Sequence, residues 1–191
     1  MPKKGIKTKS HYLDWDDFKL LSDNLKENGD NRMCLFINIG CYTGLLISDL
    51  LELKWSDVLY KEKLVINKSS YKLTIPIHYD LRCIIVNLYE EQNYSDYLFI
   101  NKSGKILSPQ HINRLIKKII KDYNVGDIEK NYTTHFTRKT FGHRVWQVNN
   151  YSTYALIELT EIFGQDSTKV TTKYLNISGK TLSNKEIYLD L

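Results

Sequence analysis

The stretch RMCLFINIGCYTGLLI at residues 32–47 limits the fold more than any other part of the chain. Large apolar side chains would fall on every side of the helix it forms, so that helix must be enclosed by other elements instead of lying on a surface. Gly44 is placed to break it. A chain of 191 residues can supply that enclosure once. Single domains usually run about 100 to 200 residues, so one sizeable core with at most a short arm is expected.

The flanking segments read as the enclosing elements. Asp14 stands as an N-cap before WDDFKLLSDNLKEN, whose Trp15, Phe18, Leu21 and Leu25 recur at helical spacing up to Asn28–Gly29. Beyond the core stretch, Ser48 followed by an acid opens one short helix in SDLLELKWSDV. From Leu59 the pattern changes: KLVIN and LTIPI are two β-rich runs about the polar turn KSSYK, with Pro76 tolerable at an edge or strand end. Residues 79–92 return to helical spacing, DYLFINKSGKIL reads as a short strand and turn, and Ser108–Pro109 starts another helix. In that helix an apolar stripe alternates with Arg114, Lys117, Lys118 and Lys121, a face that is either solvated or turned to DNA. Three more helices are predicted near 137–149, 152–163 and 167–177, separated by Asn149–Asn150 and by Gly164. The fold class is mainly α with a small antiparallel β-sheet. The organisation is a basic N-terminal arm at 1–12, one domain at 13–178 and a tail at 179–191.

Composition narrows the function classes. Hydrophobic residues make up 42% and charged ones 26%, and no apolar run approaches the ~20 residues that span a bilayer, so no membrane association is expected. The opening MPKKGIKTKS carries four lysines without the apolar stretch of a secretory signal, which suits a cytoplasmic protein. Cys34, Cys41 and Cys83 form no CxxC spacing and read as reduced core residues. The net charge of +5 suits a polyanionic partner but would fit many other proteins. Arginine is scarce: Arg32, Arg82, Arg114, Arg138 and Arg144 are the whole supply, so each position is informative if a phosphate is to be gripped bidentately.

Four pieces fall in one order: TGLLISDLLELKWSDV, KSSYKLTIPI, HFTRKTFGHR and FGQDSTKVTTKYLNI. Together they resemble the tyrosine site-specific recombinases of the phage-integrase type, over roughly residues 14 to 177. Members show a TGLR-like turn with a short helix and WxD, a hairpin Lys before a VPL-like strand, an HxxR helix, and GH followed nine residues later by Tyr. The resemblance implies the catalytic domain of the DNA breaking-rejoining enzymes, encoded by a bacterium or phage. It also implies double-stranded DNA as partner, self-association on DNA as a tetramer, and no metal or other cofactor.

Position by position, the resemblance makes Tyr174 the nucleophile that forms a 3′-phosphotyrosyl link and frees a 5′-hydroxyl. Lys68 matches the hairpin lysine that protonates the leaving oxygen, with Lys72 a rival because turn lengths vary. His135 and Arg138, three apart on one helical turn, can both point at one phosphate, although a purely structural His135 is the alternative. Gln165 stands where the family has His or Trp; it donates a hydrogen bond but carries no proton. Lys72, Arg114, Lys117, Lys118 and Lys139 are further candidate DNA contacts.

Position 46 departs from the pattern, with Leu46 where the family keeps its first arginine. Losing one preorganised donor to a developing phosphate charge usually costs ~10²- to 10³-fold. Arg32 lies too far upstream to substitute, about 20 Å along a continuous helix. Arg144, six residues past Arg138, faces elsewhere, which leaves Arg82, Arg114, Lys72 and Lys139 as substitutes, the lysines without the bidentate fork. Two functions follow: a recombinase that integrates, excises or inverts DNA, or a catalytically impaired DNA-binding regulator or accessory subunit. A relaxing topoisomerase using the same tyrosine chemistry is a remote third.

Overall fold

The structure is a computed structural model that describes residues 9–67, 72–90 and 93–177. Residues 1–8, 68–71 with Lys68, 91–92 and 178–191 lie outside the described residues. The chain divides into two compact units, 1–141 and 142–191, each described by itself.

The first unit is built around α2 (Asn31–Thr43), in which every residue except Asn31, Arg32 and Tyr42 is buried. Enclosure on all sides is what its uninterrupted apolar sequence demanded. The Asp30 side chain caps it by accepting from the Met33 amide at 3.2 Å, and Gly44 ends it in the left-handed conformation at φ 65°. Against it lies α1 (Trp15–Glu27), with Phe18, Leu21 and Leu25 buried on one stripe.

The expected single helix after Gly44 is instead two short ones, α3 (Ile47–Leu51) and α4 (Trp55–Val58). Leu46, not Ser48, occupies the cap of α3, with its carbonyl accepting from the Asp49 and Leu50 amides. Lys54 is extended because it bridges to Tyr97, and its amide donates to Asp57 at 2.8 Å to start α4. Strands β1 (Lys63–Asn67) and β2 (Lys72–Pro76) form the expected antiparallel hairpin. Leu64 faces Ile75 and Ile66 faces Leu73, and Pro76 closes β2 at its end.

Helix α5 (Tyr79–Asn87) is shorter than the expected 79–92. The short strand expected in residues 96–107 is instead two isolated bridges, Ile100 to Ile106 around a turn at Gly104 and Tyr97 to Lys54. Ser108 caps α6 (Pro109–Asp122), which buries Ile112, Ile116, Ile119 and Ile120. Helix α7 (Phe136–Val148) begins in the first unit and ends in the second.

In the second unit, α8 (Thr153–Ile162) packs on α9 (Thr168–Leu175), each capped by a serine, Ser152 and Ser167. Thr160 and Thr171 share a 2.7 Å hydroxyl hydrogen bond between the two helices.

Candidate active site

The HxxR segment is anchored residue by residue within the first unit. Phe136 is fully buried. Thr137 packs so tightly on α2 that a Cβ added to Gly40 would lie 2.7 Å from the Thr137 Cβ, which is why only glycine fits there. Arg138 is 6% exposed and its Nη1 donates to the Gly44 carbonyl at 2.5 Å. Lys139 is 4% exposed and its Nζ donates to the Ser10 carbonyl at 2.8 Å. The Thr140 hydroxyl accepts from the Leu13 amide at 3.0 Å, and Phe141 fills the space beside Gly44.

Residues 10–13 therefore act as a strap rather than as the end of a loose arm. The Ser10 hydroxyl accepts from the Thr133 amide, the His11 amide donates to the Asn131 carbonyl, and Leu13 is buried. Ser10 and His11, which fall within the 1–12 segment, thus make tertiary hydrogen bonds.

Two of the sequence-predicted residues belong to this segment. His135 is exposed one residue before α7 begins, and Arg138 is buried in the first turn of that helix. Partial burial, followed by the charges of Lys139 and Arg138, lowers the His135 pKa from its ordinary value. Arg138 reaches the Gly44 carbonyl, two residues before Leu46. Leu46 itself is 38% exposed, so its side chain is not part of the core. Arg32 donates to the Ile100 carbonyl, Arg82 lies 3.9 Å from Glu62, and Arg114 meets His111. Each of these three arginines thus has a partner of its own.

The other candidates sort by exposure. Arg114, Lys117 and Lys118 stand on the solvent face of α6, and Lys72 is exposed at the start of β2. Lys117 lines a cavity of about 490 Å³ with Lys121 and Lys130, floored by Ile120 and Tyr132. Lys139 differs from all of these because it is interior, which sets it apart from a surface phosphate contact.

In the second unit, Tyr174 lies on α9 with its ring edge-on to Phe163, the centroids 5.7 Å apart. Gln165 follows Gly164, which takes φ 58°, and its amide donates to the Thr160 carbonyl at 2.9 Å. The Gln165 side-chain carbonyl is buried without a hydrogen-bond partner. Sequence reasoning missed His143, whose Nε2 donates to the Leu175 carbonyl at 2.7 Å, adjacent to Tyr174. The signal was a second histidine eight residues after His135, inside the helix that follows it.

Among the described residues no helix is long and apolar enough to cross a membrane. The fold is similar to that of XerA recombinase: TM-score 0.69 and 23% identity over 96% of this chain and 64% of that one. It is similar to the Tn1549 transposon integrase in complex with transposon right end DNA, with TM-score 0.67 and 15% identity over 95% and 66% of the two chains. It also resembles the catalytic domain of bacteriophage HP1 integrase, with TM-score 0.58 and 18% identity over 92% and 93%. The chain spans 64%, 52% and 55% of the length of the first three matched structures. No curated protein matches the sequence. The family description "Phage integrase family" matches residues 11–180, nearly the whole chain, and the chain belongs to that family.

Proposed function

We propose that this chain catalyses site-specific DNA recombination, integrating, excising or inverting DNA through a 3′-phosphotyrosyl intermediate. The observation that carries this reading is the anchored start of α7. It holds a buried guanidinium, Arg138, at the Gly44 carbonyl, with His135 exposed just ahead of the helix. A guanidinium fixed before substrate arrives needs no reorganisation when a phosphate charge develops.

In the proposed reaction the Tyr174 oxygen attacks phosphorus, forming one P–O bond as the bond to the 5′-oxygen breaks. Lys68, with Lys72 as its rival, gives the leaving oxygen its proton. Arg138 forks two non-bridging oxygens, and His135 and Gln165 donate hydrogen bonds. The phosphotyrosyl link conserves the bond energy, so a 5′-hydroxyl from another strand can reverse the step on a new partner. Double-stranded DNA is the substrate, gripped by Arg114, Lys117, Lys118 and Lys72, with protomers assembling on it as a tetramer.

Leu46 favours a second reading, a DNA-binding regulator or accessory subunit with impaired chemistry, because its exposed apolar side chain offers nothing to a phosphate oxygen. A nicked suicide duplex carrying the recombination site decides between them. A covalent adduct that disappears in Tyr174→Phe supports the recombinase. Tight DNA binding with no adduct in the natural sequence supports the regulator.

A further inference from the structure

Within the second unit, α7 from Gly142 onward makes a seat for the last turn of α9. Leu175, the residue after Tyr174, is fully buried. A Cβ added to Gly142 would lie 2.6 Å from the Leu175 Cδ2 and 3.1 Å from the Phe163 Cζ, so a glycine there admits the leucine side chain. The next residue, His143, meets the leucine backbone, with Nε2 and the Leu175 carbonyl oxygen 2.7 Å apart. A carbonyl oxygen only accepts, so Nε2 carries the hydrogen. Trp146, buried one helical turn further on, stands edge-on to the imidazole with the ring centroids 6.4 Å apart. Two other carbonyls at this helix end are met from within the chain. The amides of Asn176, in the left-handed conformation, and Ile177 donate to Lys173 and Thr172. The bond from His143 is of another kind, because it joins α9 to α7 at the residue beside Tyr174. Tyr174 is thus flanked by two contacts, Phe163 at its ring and His143 at the peptide that follows its neighbour.

We propose that His143 is a positioning residue for Tyr174: its hydrogen bond fixes the end of α9 and so the direction from which the tyrosine oxygen meets phosphorus. This rests on the reading of Tyr174 as nucleophile above. Attack needs the reacting atoms about 3–3.5 Å apart and aligned, and a misplacement of about 1 Å costs about 10²-fold. Tyr174 and Leu175 share a peptide bond, so a shift of the Leu175 carbonyl is passed to the tyrosine. In this role His143 touches no reacting atom and moves no proton. Nε2 keeps its hydrogen in this tautomer and in the imidazolium alike, so the bond survives protonation of the ring.

The test is single-turnover cleavage of the nicked suicide duplex by the full chain at saturating DNA, where the rate constant reports the placement of Tyr174 and the amplitude reports the folded fraction. His143→Gln, which presents an amide Nε2–H to the same carbonyl, should keep most of the rate and the shape of the pH–rate profile. His143→Phe, without a donor, and His143→Asn, one bond shorter, should lower the rate constant about 10- to 100-fold at unchanged DNA affinity. If these two variants lower only the amplitude, the bond merely stabilises the unit and the inference fails alone. A limb of the pH profile that disappears in His143→Gln makes His143 a proton carrier and also overturns it. If the natural sequence forms no adduct, the Tyr174 reading fails and takes the inference with it. Should His143→Phe not fold, the comparison of His143→Gln with His143→Asn decides.

Discussion

Replacing Gly40 with alanine puts a methyl carbon 2.7 Å from both Cβ and Oγ1 of Thr137 and 3.1 Å from its Cγ2. Non-bonded carbons sit about 3.5–4.0 Å apart, so α2 and α7 must separate by nearly 1 Å or Thr137 must move. Thr137 is 1% exposed and Arg138 follows it, so the strain falls on the turn that carries the guanidinium. Overpacking of this kind costs about 1–3 kcal/mol, and alanine returns about 1 kcal/mol of helix propensity, leaving a net loss of roughly 0–2 kcal/mol. The sharper quantity is the coupling with Thr137→Gly, which removes the atoms that clash. In a double-mutant cycle followed by urea unfolding, Gly40→Ala should cost less in the Thr137→Gly background than alone, by roughly 1–3 kcal/mol. Additive effects of the two substitutions would refute the claim that Gly40 is glycine to admit Thr137.

Leu46→Arg should raise adduct formation on the suicide duplex by ~10²- to 10³-fold if the missing donor limits the chemistry. Because Leu46 caps α3 through its backbone and is partly exposed, urea unfolding should shift by less than about 0.5 kcal/mol. His143→Ala should destabilise the second unit by about 1 kcal/mol and slow cleavage more than DNA binding, read by single-turnover kinetics beside a binding isotherm. Lys139 has a folded-state pKa of about 8 against an ordinary 10.5, so the unfolded chain binds more protons between those values. Unfolding free energy should therefore gain a Lys139 contribution as pH rises from about 8 to about 10.5, a gain absent in Lys139→Met; an identical pH slope in the variant refutes it. His135 has a lowered pKa, so its contribution is full above about 6.5 and is lost on acidification, which His135→Gln should flatten.

Local pattern fixed the elements whose stabilising groups are close in sequence. The Ser108–Pro109 start and isoleucine stripe of α6, the Gly44 end of α2 and the hairpin register all rest on neighbours a few residues apart. The break between α3 and α4 was illegible because it comes from a bridge between Lys54 and Tyr97, a long-range pairing. The interior position of Lys139 was hidden for the same reason. Lysine composition signals surface, and what buries it is a strap 129 residues earlier. His135 and Arg138 were singled out because their three-residue spacing is recognisable in the sequence alone. His143 was missed because its partner, a backbone carbonyl on α9, has no sequence signature.

The strap has a consequence for the order in which the protein is made. Ser10 leaves the ribosome 129 residues before Lys139. At roughly 5–20 residues per second it waits on the order of 6–25 s for its partner. During that interval the carbonyl that will hold the ammonium has only water or a chaperone to meet, and α2 has no Thr137 or Phe141 to lie against. Contacts this distant in sequence slow folding, because the loop must close before they contribute anything. The earliest residues of the described chain are thus among the last to reach their native places, and the α7 turn that bears Arg138 becomes rigid only once nearly all of the first unit has been synthesised.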